Sequence, residues 1–353
     1  MYSLLQIPLR IQRVIMRLNA TPAFVCVLAA VAIAASACSS KSDLILENGR
    51  RIRRSVLREV WRRPVDSNDT LFAIPSKILL LSNDVVVLDP AAARVVALSR
   101  ASGEKSWVFG ASGGGPGEMR TPSDIIEGSG GHILVFDPGN GKVIELSGDG
   151  RFLNERKISS GANLRSVCSL GGGALMGYQL DLTSPLTVVA PSYLNARAVT
   201  FPWKVALPTQ KVGAVSLGLG EFVRETQSVL APAGPGKCFL ARQTASGVAL
   251  VDSTHVLWTN DMIAGPPLDS LRSTTSTAIA VAVVGDTAMV AYHGIGSRRG
   301  RLIDLYSVKS GTYLESWETP TRMSWISANR DEIAVLRSTA AGASLSLWSV
   351  NAK

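Results

Sequence analysis

Val86-Val87-Leu88-Asp89-Pro90-Ala91-Ala92-Ala93-Arg94-Val95-Val96-Ala97-Leu98-Ser99 returns as Leu134-Val135-Phe136-Asp137-Pro138-Gly139-Asn140-Gly141-Lys142-Val143-Ile144-Glu145-Leu146-Ser147, shifted by 48 residues with no gap. Each copy reads as strand, Asp-Pro turn, strand. An Asp at the turn start can accept a backbone N–H, Pro presets φ, and Asn-Gly tolerates positive φ, so each copy predicts a β-hairpin. A repeat of this length, with two strands visible and room for two more, is the size of one blade of a β-propeller.

The tryptophans supply an independent register. Trp61, Trp107, Trp203, Trp258 and Trp317 are separated by 46, 96, 55 and 59 residues, and 96 is two units of 48 with the intermediate slot near Glu155. Counting that slot, outer strands are predicted near residues 61, 107, 155, 203, 258 and 317. The remaining chain holds three strands, at 322–327, 332–337 and 344–350, and so lacks an outer one. The stretch at 56–61 precedes the first full blade without partners. Pairing it with the last blade closes the ring and removes an open seam. The expected fold is therefore all-β, a six-bladed propeller over residues 56–353 closed by an N-terminal strand. The 290 residues from Pro64 onward show almost no helical periodicity, and their short β-rich runs alternate with Gly, Asn, Asp and Ser turns.

The N-terminus reads as an address. Residues 23–35 are an uncharged apolar run, shorter than the about 20 residues a membrane-spanning helix needs. Arg10, Arg13 and Arg17 precede it, with no acid. Ala35-Ser36-Ala37-Cys38 follows, small residues leading to a cysteine, so residues 1–37 are expected to be a secretion signal. The run resembles the lipobox of bacterial lipoproteins, with Ala35 where that family usually has Leu. The resemblance implies cleavage before Cys38, lipidation of its sulfur and stable membrane anchoring. Ser39 rather than an acid follows, which in that pattern favours the outer membrane, facing the periplasm or the surface. Residues 38–55 are then expected to be a basic tether.

Net charge is +9 for the whole chain and falls to +6 once the three arginines of residues 1–37 are removed. Residues 41–63 carry eight basic groups against Asp43, Glu47 and Glu59, which leaves +1 for everything beyond. A near-neutral body argues against nucleic acid, which requires a basic face on the folded domain. The basic stretch suits either contact with anionic headgroups or lipopolysaccharide beside the anchor, or a solvated linker. Of four cysteines, Cys26 leaves with the signal and Cys38 is taken by the lipid. Cys168 and Cys238 remain, predicted on the innermost strand of the third blade and the second strand of the fourth. A disulfide between them and two separately buried apolar side chains both remain open.

Residues 109–122, Phe109-Gly110-Ala111-Ser112-Gly113-Gly114-Gly115-Pro116-Gly117-Glu118-Met119-Arg120-Thr121-Pro122, with Ile133–Asp137 and Asn140-Gly141-Lys142-Val143 behind them, resemble the NHL-type propeller repeat. There a Gly-rich turn ending in an aromatic residue leads to Pro and then an Asp/Asn hairpin; here Met119 replaces the aromatic. The resemblance covers one blade and implies a propeller with a central channel, without fixing an activity. The same glycines form no phosphate loop, because no Gly-Lys-Ser/Thr follows and Pro116 and Pro122 forbid the helix such a loop needs.

Chemistry is sparse. His132, His255 and His293 fall at different blade positions and need not converge, and no Cys-x-x-Cys exists. No metal site or cofactor is expected; calcium would accompany the alternative reading, a channel-centred metal-dependent hydrolase or lyase resembling propeller lactonases. Asp124, Arg165, Arg224, Glu225 and Arg322 fall at or near the starts of inner strands and are the candidate channel-lining ligand residues. The expected role is a non-catalytic scaffold that binds an envelope protein, peptide or glycan, anchored to the membrane by lipid.

Overall fold

The structure is a computed structural model that describes residues 44–353, apart from 48, 55, 66–68, 159–163, 180–184, 190–195, 204–225, 244–246, 262–277, 293–297, 299, 340–341 and 352–353. Residues 1–37, Cys38, Arg224, Glu225 and His293 therefore lie outside the described residues.

The chain enters through β1 (Leu44–Glu47), β2 (Arg50–Arg53) and β3 (Leu57–Val65). Blade I is β4 (Lys77–Leu80), β5 (Asp84–Asp89), β6 (Arg94–Ser99) and β7 (Lys105–Phe109). Blade II is β8 (Asp124–Glu127), β9 (Ile133–Asp137), β10 (Lys142–Leu146) and β11 (Phe152–Lys157). Blade III is β12 (Leu164–Gly171), β13 (Ala174–Gln179), β14 (Leu186–Val189) and β15 (Ala196–Val199). Blade IV is β16 (Ser228–Pro232), β17 (Lys237–Arg242), β18 (Val248–Asp252) and β19 (Val256–Asn260). Blade V is β20 (Ala278–Val284), β21 (Thr287–Tyr292), β22 (Leu302–Ser307) and β23 (Tyr313–Glu318), and blade VI is β24 (Trp325–Ala328), β25 (Glu332–Thr339) and β26 (Gly342–Val350) completed by β3. The register of that closure runs from Ala343↔Val65 to Val350↔Leu57.

The uninterrupted apolar runs have a direct cause. Alternate side chains of a strand point to opposite faces, and each blade is buried on both. In β5, Val85 and Val87 pack towards blade VI, whereas Val86 and Leu88 pack towards blade II. In β9, Ile133 and Val135 face blade I, and Leu134 and Phe136 face blade III. Apolar clusters of this kind fill all six blade-to-blade interfaces.

The two residue types that mark the period each hold neighbouring elements together. Asp89 and Asp137 are fully buried, and their carboxylates accept backbone N–H groups from the chain arriving at the blade. Asp89 takes Ile74 at 3.0 Å, and Asp137 takes Arg120 at 3.0 Å and Thr121 at 2.9 Å. The indole of Trp61 donates to the Arg100 carbonyl at 2.9 Å and its ring covers Gly103 in blade I. Trp258 donates to the Val308 carbonyl at 3.1 Å and covers Gly311 in blade V, and Trp107 covers Gly150 in blade II. Each tryptophan thus seats the outer strand of one blade on the last turn of the next. Trp203 departs from the expected placement: β15 ends at Val199, and Trp203 lies past it, against Gly247 between the second and third strands of blade IV.

The tether expected over residues 38–55 is corrected from Leu44 onward. β1 and β2 form an antiparallel hairpin, and β2 joins the outer strand of blade V in parallel, Ile52↔Ser316 and Arg53↔Trp317. Blade V is therefore six-stranded. The arginines that read as solvated charge meet acids of that blade. Arg50 is buried against Asp304 at 2.9 Å, Arg53 reaches Glu315 at 2.9 Å, and Arg54 reaches Glu318 at 3.0 Å.

Candidate functional site

The innermost strands β4, β8, β12, β16, β20 and β24 surround a central channel cavity of about 250 Å³. Its walls are mostly apolar, with Ile78, Leu80, Ile125, Leu230 and Val281 among them, because strands this close to the axis have little water to face. Amides of these inner strands find partners in side chains of neighbouring blades. Val167 N–H donates to Asp124 at 2.8 Å, Leu230 N–H to Ser166 Oγ at 3.1 Å, and Leu80 N–H to Ser327 Oγ at 2.9 Å.

One charged constellation sits where the inner strands begin. Lys77 Nζ lies 3.5 Å from Asp124 Oδ1 and 3.3 Å from the ring centroid of Trp325, joining blades I, II and VI. Asp124 is additionally held by the Ile125 N–H at 3.0 Å. Burial pushes the Lys77 ammonium below its ordinary range, with Asp124 opposing the shift. Burial likewise pushes the Asp124 carboxyl up, against the pull of Lys77 and two backbone N–H groups. A pair drawn towards neutrality and fully engaged with its surroundings acts first as a brace across three blades. At the far end of the same cavity, Glu127 has its carboxyl raised by partial burial.

Of the sequence-derived candidates, Asp124 faces the channel. Arg165 does not line that cavity. It is exposed and borders a separate surface hollow with Thr121, Ser123, Pro138 and Gly139, since the first residue of β12 to reach the channel wall is Val167. Arg322 is exposed in the connection before β24 and also lies off the cavity wall. Lys77, Trp325, Ser166 and Ser327 were not anticipated. Lys77 was findable, because it opens the apolar run of β4 at the place Asp124 occupies in β8.

The remaining motifs resolve into local structure. In the Gly-rich turn, Gly115 N–H donates to Glu118 at 2.7 Å and Gly117 N–H to Glu155 at 3.0 Å, while Lys142 Nζ donates to the Gly115 carbonyl at 2.8 Å. Those amides are turned onto the protein's own carboxylates. His132 is paired with Glu145 at 2.8 Å, and His255 lies beside Thr254 at 2.7 Å. Among the described residues, no three His, Cys, Asp or Glu side chains converge as metal ligands. Cys168 of β12 and Cys238 of β17 form a disulfide between blades III and IV, with Cα atoms 6.1 Å apart.

Fold and channel define a six-bladed β-propeller. A family model described as the outer membrane protein assembly factor BamB matches residues 57–180, that is β3, blades I and II and the first half of blade III. Among solved structures, an exported protein of Bacteroides fragilis is similar at 15% identity, covering 85% of this chain and 96% of that one, with a TM-score of 0.55. A streptogramin B lyase is similar at 12% identity over 83% of this chain and 88% of its own, with a TM-score of 0.50. The virginiamycin B lyase of Staphylococcus aureus is similar at 11% identity over 82% and 99%, also with a TM-score of 0.50. At these identities the likeness is one of fold. No curated protein matches the sequence.

Proposed function

We propose that this chain is a lipid-anchored β-propeller of the bacterial outer membrane that acts as a protein-interaction scaffold in the assembly of outer-membrane proteins. The observation that carries the reading is the match of residues 57–180 to the assembly-factor family model. The basic head, apolar run and lipobox-like end at Cys38 support the address. The interior supports the role: among the described residues the channel wall is mostly apolar, and the buried Lys77–Asp124 pair is committed to bracing three blades. That leaves the rim loops and blade edges as the surfaces for recognition, by an envelope protein, a peptide or a glycan. The NHL-type resemblance of the second blade belongs to the same architecture and adds no activity to it.

The test is affinity isolation of a tagged, full-length chain from detergent-solubilised envelopes of its own bacterium. An outer-membrane β-barrel protein is expected to co-isolate in stoichiometric amount and to be lost with Cys38→Ser. Isolation of the propeller alone, from cells in which the tagged chain is functional, overturns the scaffold reading.

A further inference from the structure

The N-terminal hairpin has two unlike faces. Ile45 packs against the cluster between blades IV and V, while its neighbours Leu44 and Leu46 point the other way and are 39% and 77% exposed. Leu46 is the most exposed of the large apolar side chains among the described residues. Cross-strand partners share a face of a ribbon. Leu44 pairs with Arg53 and Leu46 with Arg51, and both arginines are exposed, Arg53 while also paired with Glu315. This face therefore combines two leucines with two guanidinium groups.

Edge strands of soluble proteins are ordinarily blunted by charge or proline; in β1 the first three residues, Leu44-Ile45-Leu46, carry neither, and the strand's charge is confined to its last residue, Glu47, which pairs with Arg298. An exposed apolar edge flanked by arginines has the composition of a surface that sits at a phospholipid interface. There apolar side chains enter the headgroup boundary and each cationic side chain contributes about 1 kcal/mol against anionic lipid. Five residues separate Leu44 from Cys38, six steps of the chain and at most about 20 Å when extended.

We propose that the outward face of the hairpin, Leu44 and Leu46 with Arg51 and Arg53, is the surface by which this protein lies on an anionic phospholipid membrane. The proposal rests on the lipid-anchor reading for the proximity of the bilayer, but the surface has a chemistry of its own that can be tested without the lipid. The anchor then sets the distance, and the hairpin sets the orientation of the ring: the rim of blade V turns to the membrane, and blade II, on the opposite side of the ring, turns away.

The experiment places an environment-sensitive fluorophore on Leu46→Cys, with Phe152→Cys of blade II as the control, in the mature lipidated chain. The probe membrane is a phosphatidylethanolamine/phosphatidylglycerol vesicle. The label at 46 is expected to blue-shift and to be quenched by lipid-borne quenchers, and the label at 152 to stay aqueous. A label at 46 that stays aqueous while the chain is vesicle-bound overturns the proposal. The Cys38→Ser chain separates the two readings. Without any lipid it is expected to partition onto the same vesicles at low salt, and L46E/R51E to lower that partitioning about tenfold. Equal partitioning of the variant and its parent refutes the surface, whatever the state of Cys38. Absence of lipid on the native N-terminal peptide refutes the anchor and leaves the surface to this second assay.

Discussion

Replacing Arg50 by alanine distinguishes a hairpin that belongs to the fold from a tether that merely precedes it. Arg50 is 3% exposed and its guanidinium holds Asp304 through two atoms, Nε at 3.1 Å from Oδ1 and Nη2 at 2.9 Å from Oδ2. It also lies 4.3 Å from the centre of the Tyr292 ring. Asp304 is fully buried and keeps only the Ser316 hydroxyl, at 2.7 Å, when the arginine is gone. Removing one partner of a buried ion pair typically costs about 3–5 kcal/mol, because the other charge stays buried. For a domain of this size, that corresponds to a fall in Tm of roughly 6–10 °C. The assay is calorimetry or circular-dichroism melting of the disulfide-intact protein. The double variant Arg50→Met, Asp304→Leu should recover most of the loss, since apolar replacement of a buried pair is often neutral. An Arg50→Ala protein that melts with the wild type would refute the reasoning and return residues 44–53 to the tether.

Gly103→Ala places a Cβ 2.8 Å from the Trp61 ring at a φ of +73°, and should cost about 2–4 kcal/mol in urea unfolding. Gly141→Ala, at φ +61° with nothing within 4 Å, should cost only the backbone part, about 1 kcal/mol; equal costs would mean that the tryptophan seat is not tight. Lys77→Met leaves Asp124 buried without its counter-charge, so its carboxyl rises further above the ordinary carboxylate range. The folded state then retains a proton that the unfolded chain releases, stability falls as pH rises through that interval, and the deficit against wild type should grow as pH is raised above the ordinary carboxylate range and shrink as pH is lowered into it. A deficit that does not change with pH would contradict this. Cys168 and Cys238 close a loop of 70 residues, so reduction or double serine substitution should remove about 4 kcal/mol on the chain-entropy estimate. Free thiols at both positions in an unreduced digest of periplasm-derived protein would exclude the bridge.

The period was legible because the residues that bear it are the ones that connect elements. Asp89 and Asp137 recur since each must tie the incoming chain to a hairpin, and Trp61, Trp107 and Trp258 recur since each must seat one blade on the next. Among the described residues, Trp317 keeps the register without a glycine beneath it. Blade VI has no turn from its third strand to its fourth, because that fourth strand is β3, from the other end of the chain. The hairpin at 44–53 was not legible for the opposite reason. Its arginines look solvated in isolation, and the acids that receive them, Asp304, Glu315 and Glu318, lie more than 250 positions away. At the channel, Asp124 could be placed by its position at a strand start. Its partner Lys77 is on another blade, and nothing local to either residue states that the two meet over Trp325. Arg165 and Arg322 sit within a few residues of wall positions but on the rim, a distinction finer than a period of 48 residues can resolve.

The scaffold reading makes one demand on the living cell that no structural variant can satisfy or evade. Deleting the gene for this chain and measuring the folded, heat-modifiable fraction of β-barrel proteins in purified outer membranes tests it directly. This fraction is expected to fall, the wild-type chain to restore it, and Cys38→Ser to restore it poorly. An outer membrane with its full complement of folded barrel proteins in the deletion strain would contradict the scaffold reading.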